Sequence, residues 1–448
     1  MYVYSILDFI VLPLYLIIIL MTANIYASNK MIEQPCYSYF TLGLVAKIFG
    51  GIGVALVYTI YYPAGDTTEY FGNVVALLNL AFYDFSAFWH VMTEPASNAS
   101  MFFFNGETGY ACYARDPKAW AVVKMTLPIA IVSFQSFLTT TVLCATLSFA
   151  GIWKLYKVFV LEFPSLEKEM AISFLFIPSV FFWGSGLLKD TFTLSALGFF
   201  FSSLYYLVVR REKVVASIII VLVSAYVIIS IKPYILVGLF PALIIWLVQL
   251  SVGKINVKTL RVLAVPFVLV VGFGFVYWLM MIMGESLAEY QVESILEKAQ
   301  ITQRDLKSDY YQGNAFDIGD FDATLSSIFS KFPIATFSAI FRPLITESNN
   351  LVMLFSGFEN LILLIFTIRV LIYVKVLGVF RFFFKHHMLT FSLFFSIFFA
   401  FSVGLSTSNF GSLVRYKIPS IPYFVASLFI IRHLKSKEIE IKVKMKEQ

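Results

Sequence analysis

Apolar stretches of about 20 residues recur from one end of this chain to the other, and each is long enough as a helix to cross about 30 Å of hydrocarbon. Eleven spans are predicted, at 6–27, 40–61, 122–153, 170–188, 192–209, 214–231, 235–251, 263–283, 351–373, 389–406 and 419–431. The third is longer than one crossing needs, which implies tilt or projection beyond the bilayer; the last borrows flanking residues. The expected fold class is therefore all-α, a polytopic membrane protein with about 11 transmembrane helices forming a single transmembrane domain over residues 1–448. Composition agrees: 59% of the residues are hydrophobic and 13% charged, too little polar surface to coat a soluble globule. The 49 Phe and 25 Tyr mostly suit membrane-facing and interfacial positions.

Lys and Arg are retained on the cytoplasmic side of a bilayer. Here they cluster between alternate spans: Lys30; Lys154, Lys157 and Lys168; Arg210, Arg211 and Lys213; Lys254, Lys258 and Arg261; Lys375, Arg381 and Lys385; and a basic tail at 432–448. The opposite side is net acidic, so the N-terminus is expected outside and the C-terminus in the cytoplasm. The net charge of +6 falls mainly in those turns and the tail, where it meets anionic membrane lipids, and no nucleic-acid partner is expected. Cys36, Cys112 and Cys144 fall inside, outside and within the third span, which leaves no internal disulfide and no Cys/His metal cluster. His386 and His387 sit on the cytoplasmic face, and His90 and His433 are isolated. With Asp8 and Pro13, no basic leader and no clear cleavage site, the first span reads as retained.

Cytoplasmic connections are short and no GxxxxGK loop occurs, so an ATP-driven role is not expected. Two outer segments, 62–121 and 284–350, are longer and are able to roof an outward-facing cavity. The first opens with YYPAGDTTEYF, carries an interfacial helix expected at 70–85, continues through MFFFNGETGYACYARDP and holds an N-x-Ser sequon at Asn98. The second contains the charged helical candidate ESLAEYQVESILEKAQ, the acidic turn FDIGDFDA and FRPLITESNN.

Polar residues far apart in sequence fall on this outer face. Pro63 and Gly65 stop the second span and bend the chain, which fixes Asp66 near the bilayer. If Asp66 caps a helix starting at Thr67, its carboxyl lies near that of Glu69, and the two can share a proton or a divalent ion; an ordinary capping box explains the same spacing. Lys189 ends FFWGSGLLKD, where Gly184 and Gly186 permit close helix approach, and can reach a headgroup phosphate, pair with Asp190, or simply snorkel. Lys232 and Arg342 each precede a proline, which holds them in extended backbone at shaped junctions; Lys232 also suits interfacial anchoring. Glu347 follows Arg342 on the same face. Arg415, beside Tyr416 and Lys417, offers a planar donor fork for phosphate, with Lys417 adding longer-range attraction, or anchors the helix among lipid headgroups. Within the membrane the main charged candidates are Lys47 and Glu359, few for a transporter.

The combination YYPAGDTTEYF, PSVFFWGSGLLKD, FRPLITESNN and NFGSLVRYKIPSIPYF resembles bacterial polytopic proteins related to the GT-C glycosyltransferases and the envelope-polysaccharide assembly proteins found beside them, over roughly residues 61–423. The resemblance implies a multi-pass protein of the bacterial inner membrane that moves a sugar from a polyprenyl-phosphate donor to a glycan, lipid or protein acceptor on the outer face. It gives the role of base to Asp66, with Glu69 as companion, and the phosphate to Arg415 with Lys189 or Lys232. The acidic site follows span two here, where the family pattern has it after span one, so an additional N-terminal span is implied. GT-C relatives include metal-using and metal-independent enzymes; Mg or Mn is the ion such carboxylates would take, but they do not specify a complete ligand set. Oligosaccharide polymerase or ligase chemistry uses the same groups, and a transporter or a nonenzymatic partner of envelope-assembly proteins are the other readings.

Overall fold

The structure, a computed structural model, describes residues 4–62, 65–252, 301, 316–319, 321 and 324–447. It is all-helical, with no β-sheet among the described residues. Eight helices there are long and apolar enough to cross a membrane, or nine if one bent pair counts as a single span, and the chain is a multi-pass membrane protein. The expected span at 263–283, the charged helix candidate and Pro63 lie outside the described residues. The chain divides into two compact units, Met1–Pro233 and Tyr234–Gln448.

In the first unit, α1 (Ile6–Met31) and α2 (Phe40–Leu56) are the first two expected spans. Buried Asp8 fastens α1 to a later helix: its carboxylate accepts from Ser136 Oγ at 2.7 Å and the Leu138 amide at 2.8 Å. The long stretch at 122–153 is not one tilted helix. It is α5 (Pro117–Val132) and α6 (Phe137–Glu162), separated where Phe134 and Gln135 take φ of 54° and 56°. Two left-handed residues in succession end a helix, and Ser136 then caps the next by accepting from the Thr139 amide at 3.2 Å. Before them come α3 (Asp66–Tyr83), which starts earlier than the interfacial helix expected at 70–85, and α4 (Phe85–Thr93). These pack with α5 around Val74, Leu77, Trp120 and Val123, so the first long segment is a packed helical layer.

Helix α6 runs parallel to α9 (Lys189–Tyr205): Lys154 lies over the Phe199 ring, and Tyr205 donates to Glu162. The chain between them must therefore travel back along the unit. It does so as a broken path, α7 (Glu167–Leu175) and α8 (Pro178–Trp183), followed by a turn. Pro178 explains the break, because the residue before a proline is driven to extended backbone, and Ile177 has ψ of 120°. The expected continuous span at 170–188 is corrected accordingly. Helix α10 (Val214–Ile231) returns and ends at Lys232.

In the second unit, α11 (Tyr234–Val252) packs antiparallel to α16 (His387–Ser406), with Tyr234 against Phe399 and Trp246 Nε1 donating to His387 Nδ1 at 3.0 Å. Between them in sequence are α12 (Leu325–Ser330), α13 (Phe332–Phe341), α14 (Leu351–Val374) and α15 (Val376–Phe383). Helices α17 (Phe410–Tyr416) and α18 (Ile421–Glu447) form the bent pair, at 62°. The expected last span and basic tail are one continuous helix, α18, in which Glu438 pairs with Arg381 and Lys442 at 2.9 Å each.

The α6–α9 crossing sets the first unit's packing, and it depends on Gly151: a Cβ there would stand 2.1 Å from the Ser195 carbonyl oxygen, backbone that cannot swing aside. Gly151→Ala is expected to cost about 1–3 kcal/mol through overpacking, seen as a lower thermal-unfolding midpoint in detergent. Gly106→Ala, where a Cβ meets nothing within 4 Å, is the control; equal midpoints for the two variants would contradict the assigned crossing.

Candidate functional site

Helix α3 begins at a glycine that the fold cannot replace. Gly65 has φ of 154°, and a Cβ on it would fall 2.3 Å from the Tyr58 ring. Gly65 is thus the cap, and Asp66 is the first helical residue, one place later than a capping role would put it. Asp66 and Glu69 both lie in the first turn, where the exposed amides of the helix start favour negative charge. Just ahead, residues Val57–Tyr61 form a π-helical turn, a local widening that often accompanies functional positions.

The side chain of Asn73, one turn further along α3 and buried, holds the 112–113 turn against this helix. Its oxygen accepts from the Tyr113 amide at 2.8 Å, and its amide donates to the Glu69 carbonyl at 2.8 Å. The Cys112 thiol lies 3.7 Å from the Glu69 carboxylate, and the Tyr113 and Tyr70 rings are 4.8 Å apart. Burial raises the Tyr113 phenol well above its usual range, and the neighbouring Asp66, Cys112, Glu69 and Asp116 raise it further. Tyr113 is therefore a neutral hydroxyl donor in a field of carboxylates.

Asp116 joins this group to the next helix. One carboxylate oxygen caps α5 by accepting from the Lys118 amide at 2.9 Å, and the other lies 3.3 Å from the Lys189 ammonium. Lys189 starts α9, and Asp190 beside it is buried and bonded at 2.5 Å to buried Lys232. The two adjacent residues thus have different partners. Lys189 pairs with Asp116 and not with Asp190, while Lys232 is buried beside Asp190 and pairs with it. The first unit in this way brings together Asp66, Glu69 and Lys189, with Asp190 and Lys232 as the buried pair behind Lys189.

Arg342, Glu347, Arg415, Tyr416 and Lys417 belong to the second unit. The Arg342 guanidinium grips Glu347 with two bonds from Nε, at 2.9 and 3.1 Å, and one from its terminal nitrogen; it also lies 5.0 Å from the centre of the Phe316 ring and 5.3 Å from that of Phe410. Lys417 is buried, and its ammonium donates to the Ile340 carbonyl at 3.1 Å, the Arg342 carbonyl at 3.3 Å and Asn360 Oδ1 at 2.7 Å. An ammonium has three donors, and all three are directed at protein oxygens, so Lys417 fixes the chain around Arg342. Half-buried Arg415 lies on α17, and Tyr416 packs edge-on against Tyr234. Groups able to ligate a divalent ion occur in both units: Asp66, Glu69 and Glu162 in the first, and the stacked imidazoles of His386 and His387, 4.8 Å apart, in the second.

Four participants escaped sequence reasoning: Asn73, Cys112, Tyr113 and Asp116. A signal existed for the last, since Asp116 followed by Pro117 is the cap-plus-proline pattern of a helix start. The other three are joined by contacts across about 40 residues and have no local signature.

Burial raises the Glu347 carboxyl, but bonds from Arg342 and the Leu344 amide outweigh this and leave it below the usual range. A depressed folded value means stabilisation that is present above the unfolded value, about 4.3, and is lost as pH falls through the folded one. Glu347→Gln is expected to lower the thermal midpoint at pH 7 by an amount that shrinks as the pH drops below about 4. A pH-independent difference would show that the Arg342 pairing contributes nothing.

No protein-family model, curated protein or solved structure matches this chain.

Proposed function

We propose that this chain is a membrane-embedded glycosyltransferase that moves a sugar from a polyprenyl-phosphate-linked donor to an envelope glycan, lipid or protein acceptor at the outer face of the bacterial inner membrane. The observation that carries this reading is the gathering of Asp66, Glu69, Asp116 and neutral Tyr113 with Lys189 at their edge. A base, a hydroxyl donor and a cation at a helix start are what displacement of a lipid phosphate requires. The sequence resemblance to GT-C proteins points the same way.

In this reading Asp66 removes the proton of the acceptor hydroxyl. The freed oxygen bonds to the anomeric carbon as the bond from that carbon to the phosphate oxygen breaks, and the departing phosphate keeps the electron pair. Lys189 turns from Asp116 toward that charge; Asp116 is the positioning residue that holds it ready. Tyr113 donates to a sugar hydroxyl, and the buried Asp190–Lys232 pair keeps the start of α9 in place. Where a divalent ion takes part, the hard oxygens of Asp66 and Glu69 suit Mg or Mn, which would add positive charge against the leaving phosphate. The same steps with a lipid-linked oligosaccharide as substrate give a polymerase or ligase; acceptor length separates these.

Transport is the second reading, favoured by the bent α17–α18 pair with a buried lysine at its bend, since transporters bind substrates at broken helices. Asp66→Asn in nanodiscs separates the two. Loss of a general base typically costs 10²–10⁴-fold, so turnover of a defined lipid-linked sugar should fall at least about 100-fold with donor binding largely retained. Glu69→Gln should cost less. Unchanged turnover in Asp66→Asn would remove Asp66 as the base, and wild-type protein that moves the donor across a membrane without transferring its sugar would favour transport.

A further inference from the structure

A second polar site lies at the other end of α9. There the first unit forms a partly open cleft of about 350 Å³, at the small end of ligand pockets. Lys154, Lys157 and Lys213 line it, with the hydroxyl-bearing Ser202 and Ser217. Lys154 is exposed and Lys157 half-buried, and the ammonium of each lies over an aromatic ring. Lys154 lies 4.9 Å from the centre of the Phe199 ring, while Lys157 lies 5.0 Å from that of Tyr37 and donates to its hydroxyl at 3.3 Å. Lys213 is exposed and stands in the turn that enters α10, where it and Arg211 are both left-handed, with φ of 49° and 56°. The one carboxylate in the lining, Glu212, is already paired with Arg210 at 3.0 Å. Both serines are buried.

The end of α9 is itself altered here. Tyr206–Arg210 is a π-helical turn, and Tyr206 lines the cavity. The other π-turn of this unit stands just before Asp66. Such turns are frequent at functional sites.

We propose that this cavity binds a phosphate-bearing anion. Three lysines around one space repel each other until an anion enters, and phosphate oxygens accept charge-assisted bonds from ammonium groups together with ordinary bonds from serine hydroxyls. Lysines that merely snorkel into headgroups would keep their charges outward in water; here two are laid on aromatic rings and the nearby hydroxyls are buried. The anion is either the headgroup of a membrane phospholipid or a soluble phosphate ester.

Full-length protein in nanodiscs tests both sources. In phosphatidylcholine nanodiscs, titration with glycerol phosphate reads the soluble arm as a saturable rise in unfolding midpoint. In mixed nanodiscs, native mass spectrometry reads retention of phosphatidylglycerol over phosphatidylcholine. Binding in either arm supports the site and names the source. Lys154→Gln and Lys157→Gln should each weaken that binding about tenfold or more, as expected for loss of a charge-assisted bond. Lys375→Gln, an exposed lysine elsewhere, should leave it unchanged. Should a lysine variant fail to fold, Ser217→Ala removes only a hydroxyl and is expected to weaken binding by a few-fold. The proposal is overturned if neither arm binds, or if Lys375→Gln costs as much as the cavity variants.

Discussion

A backbone amide or carbonyl in hydrocarbon has no water to bond, and each one left unmet costs several kcal/mol. Helices meet that demand wherever they continue, so the places where they break decide where other groups must go. Three breaks are met here by buried charged side chains. Asp8 accepts from the Leu138 amide where α6 begins. Lys47 donates to the Gly184 carbonyl in the turn after α8. Lys417 donates to the Ile340 and Arg342 carbonyls where α13 gives way to the turn that carries Glu347. Charges within a membrane protein usually suggest a transport pathway, but each of these three bonds backbone at a helix break.

The same economy shapes the Asp66 site. Because Asp190 and Lys232 satisfy each other in the core, Lys189 next door is left at the edge with only a 3.3 Å link to partly exposed Asp116. A buried pair with a short bond is expensive to break and rigid; a longer, partly solvated one exchanges readily for another anion. Burial separates the two lysines: Lys232 is buried with Asp190, while Lys189 is partly exposed beside Asp116. Asn73 does for the carboxylates what Lys232 does for α9, locking the turn that carries Cys112 and Tyr113 against the first turns of α3.

Much of this was legible in the sequence. The spans at 6–27, 40–61, 192–209, 214–231, 235–251, 351–373 and 389–406 correspond to helices, because a long apolar run has no other stable form in a bilayer. Boundaries hidden inside apolar stretches were not legible. SFQS at 133–136 reverses the chain between α5 and α6 through left-handed backbone at Phe134 and Gln135, residue types that do not announce it. Pro178 did announce its break, but the apolar residues around it masked the signal. Of the polar residues, position near a proline or glycine correctly marked Asp66, Lys189, Lys232 and Arg342 as placed at shaped junctions. The partners Asp116 and Asp190 of the two lysines are fixed by packing between helices, which spacing along the chain does not encode, whereas Glu347 lies only five residues from Arg342.

Within the first unit the carboxylate cluster and the lysine-lined cavity lie at opposite ends of α9, whose 17 residues rise roughly 25 Å. The account depends on these ends facing opposite sides of one membrane, with Asp66 outside and Lys154 in the cytoplasm. Single cysteines at Glu107 and Lys168, both exposed, in a background lacking Cys36, Cys112 and Cys144, read this directly in spheroplasts treated with an impermeant maleimide. The expected result is labelling of the Glu107→Cys protein in intact spheroplasts and of the Lys168→Cys protein only after permeabilisation. The reverse order, or labelling of both from outside, would contradict it.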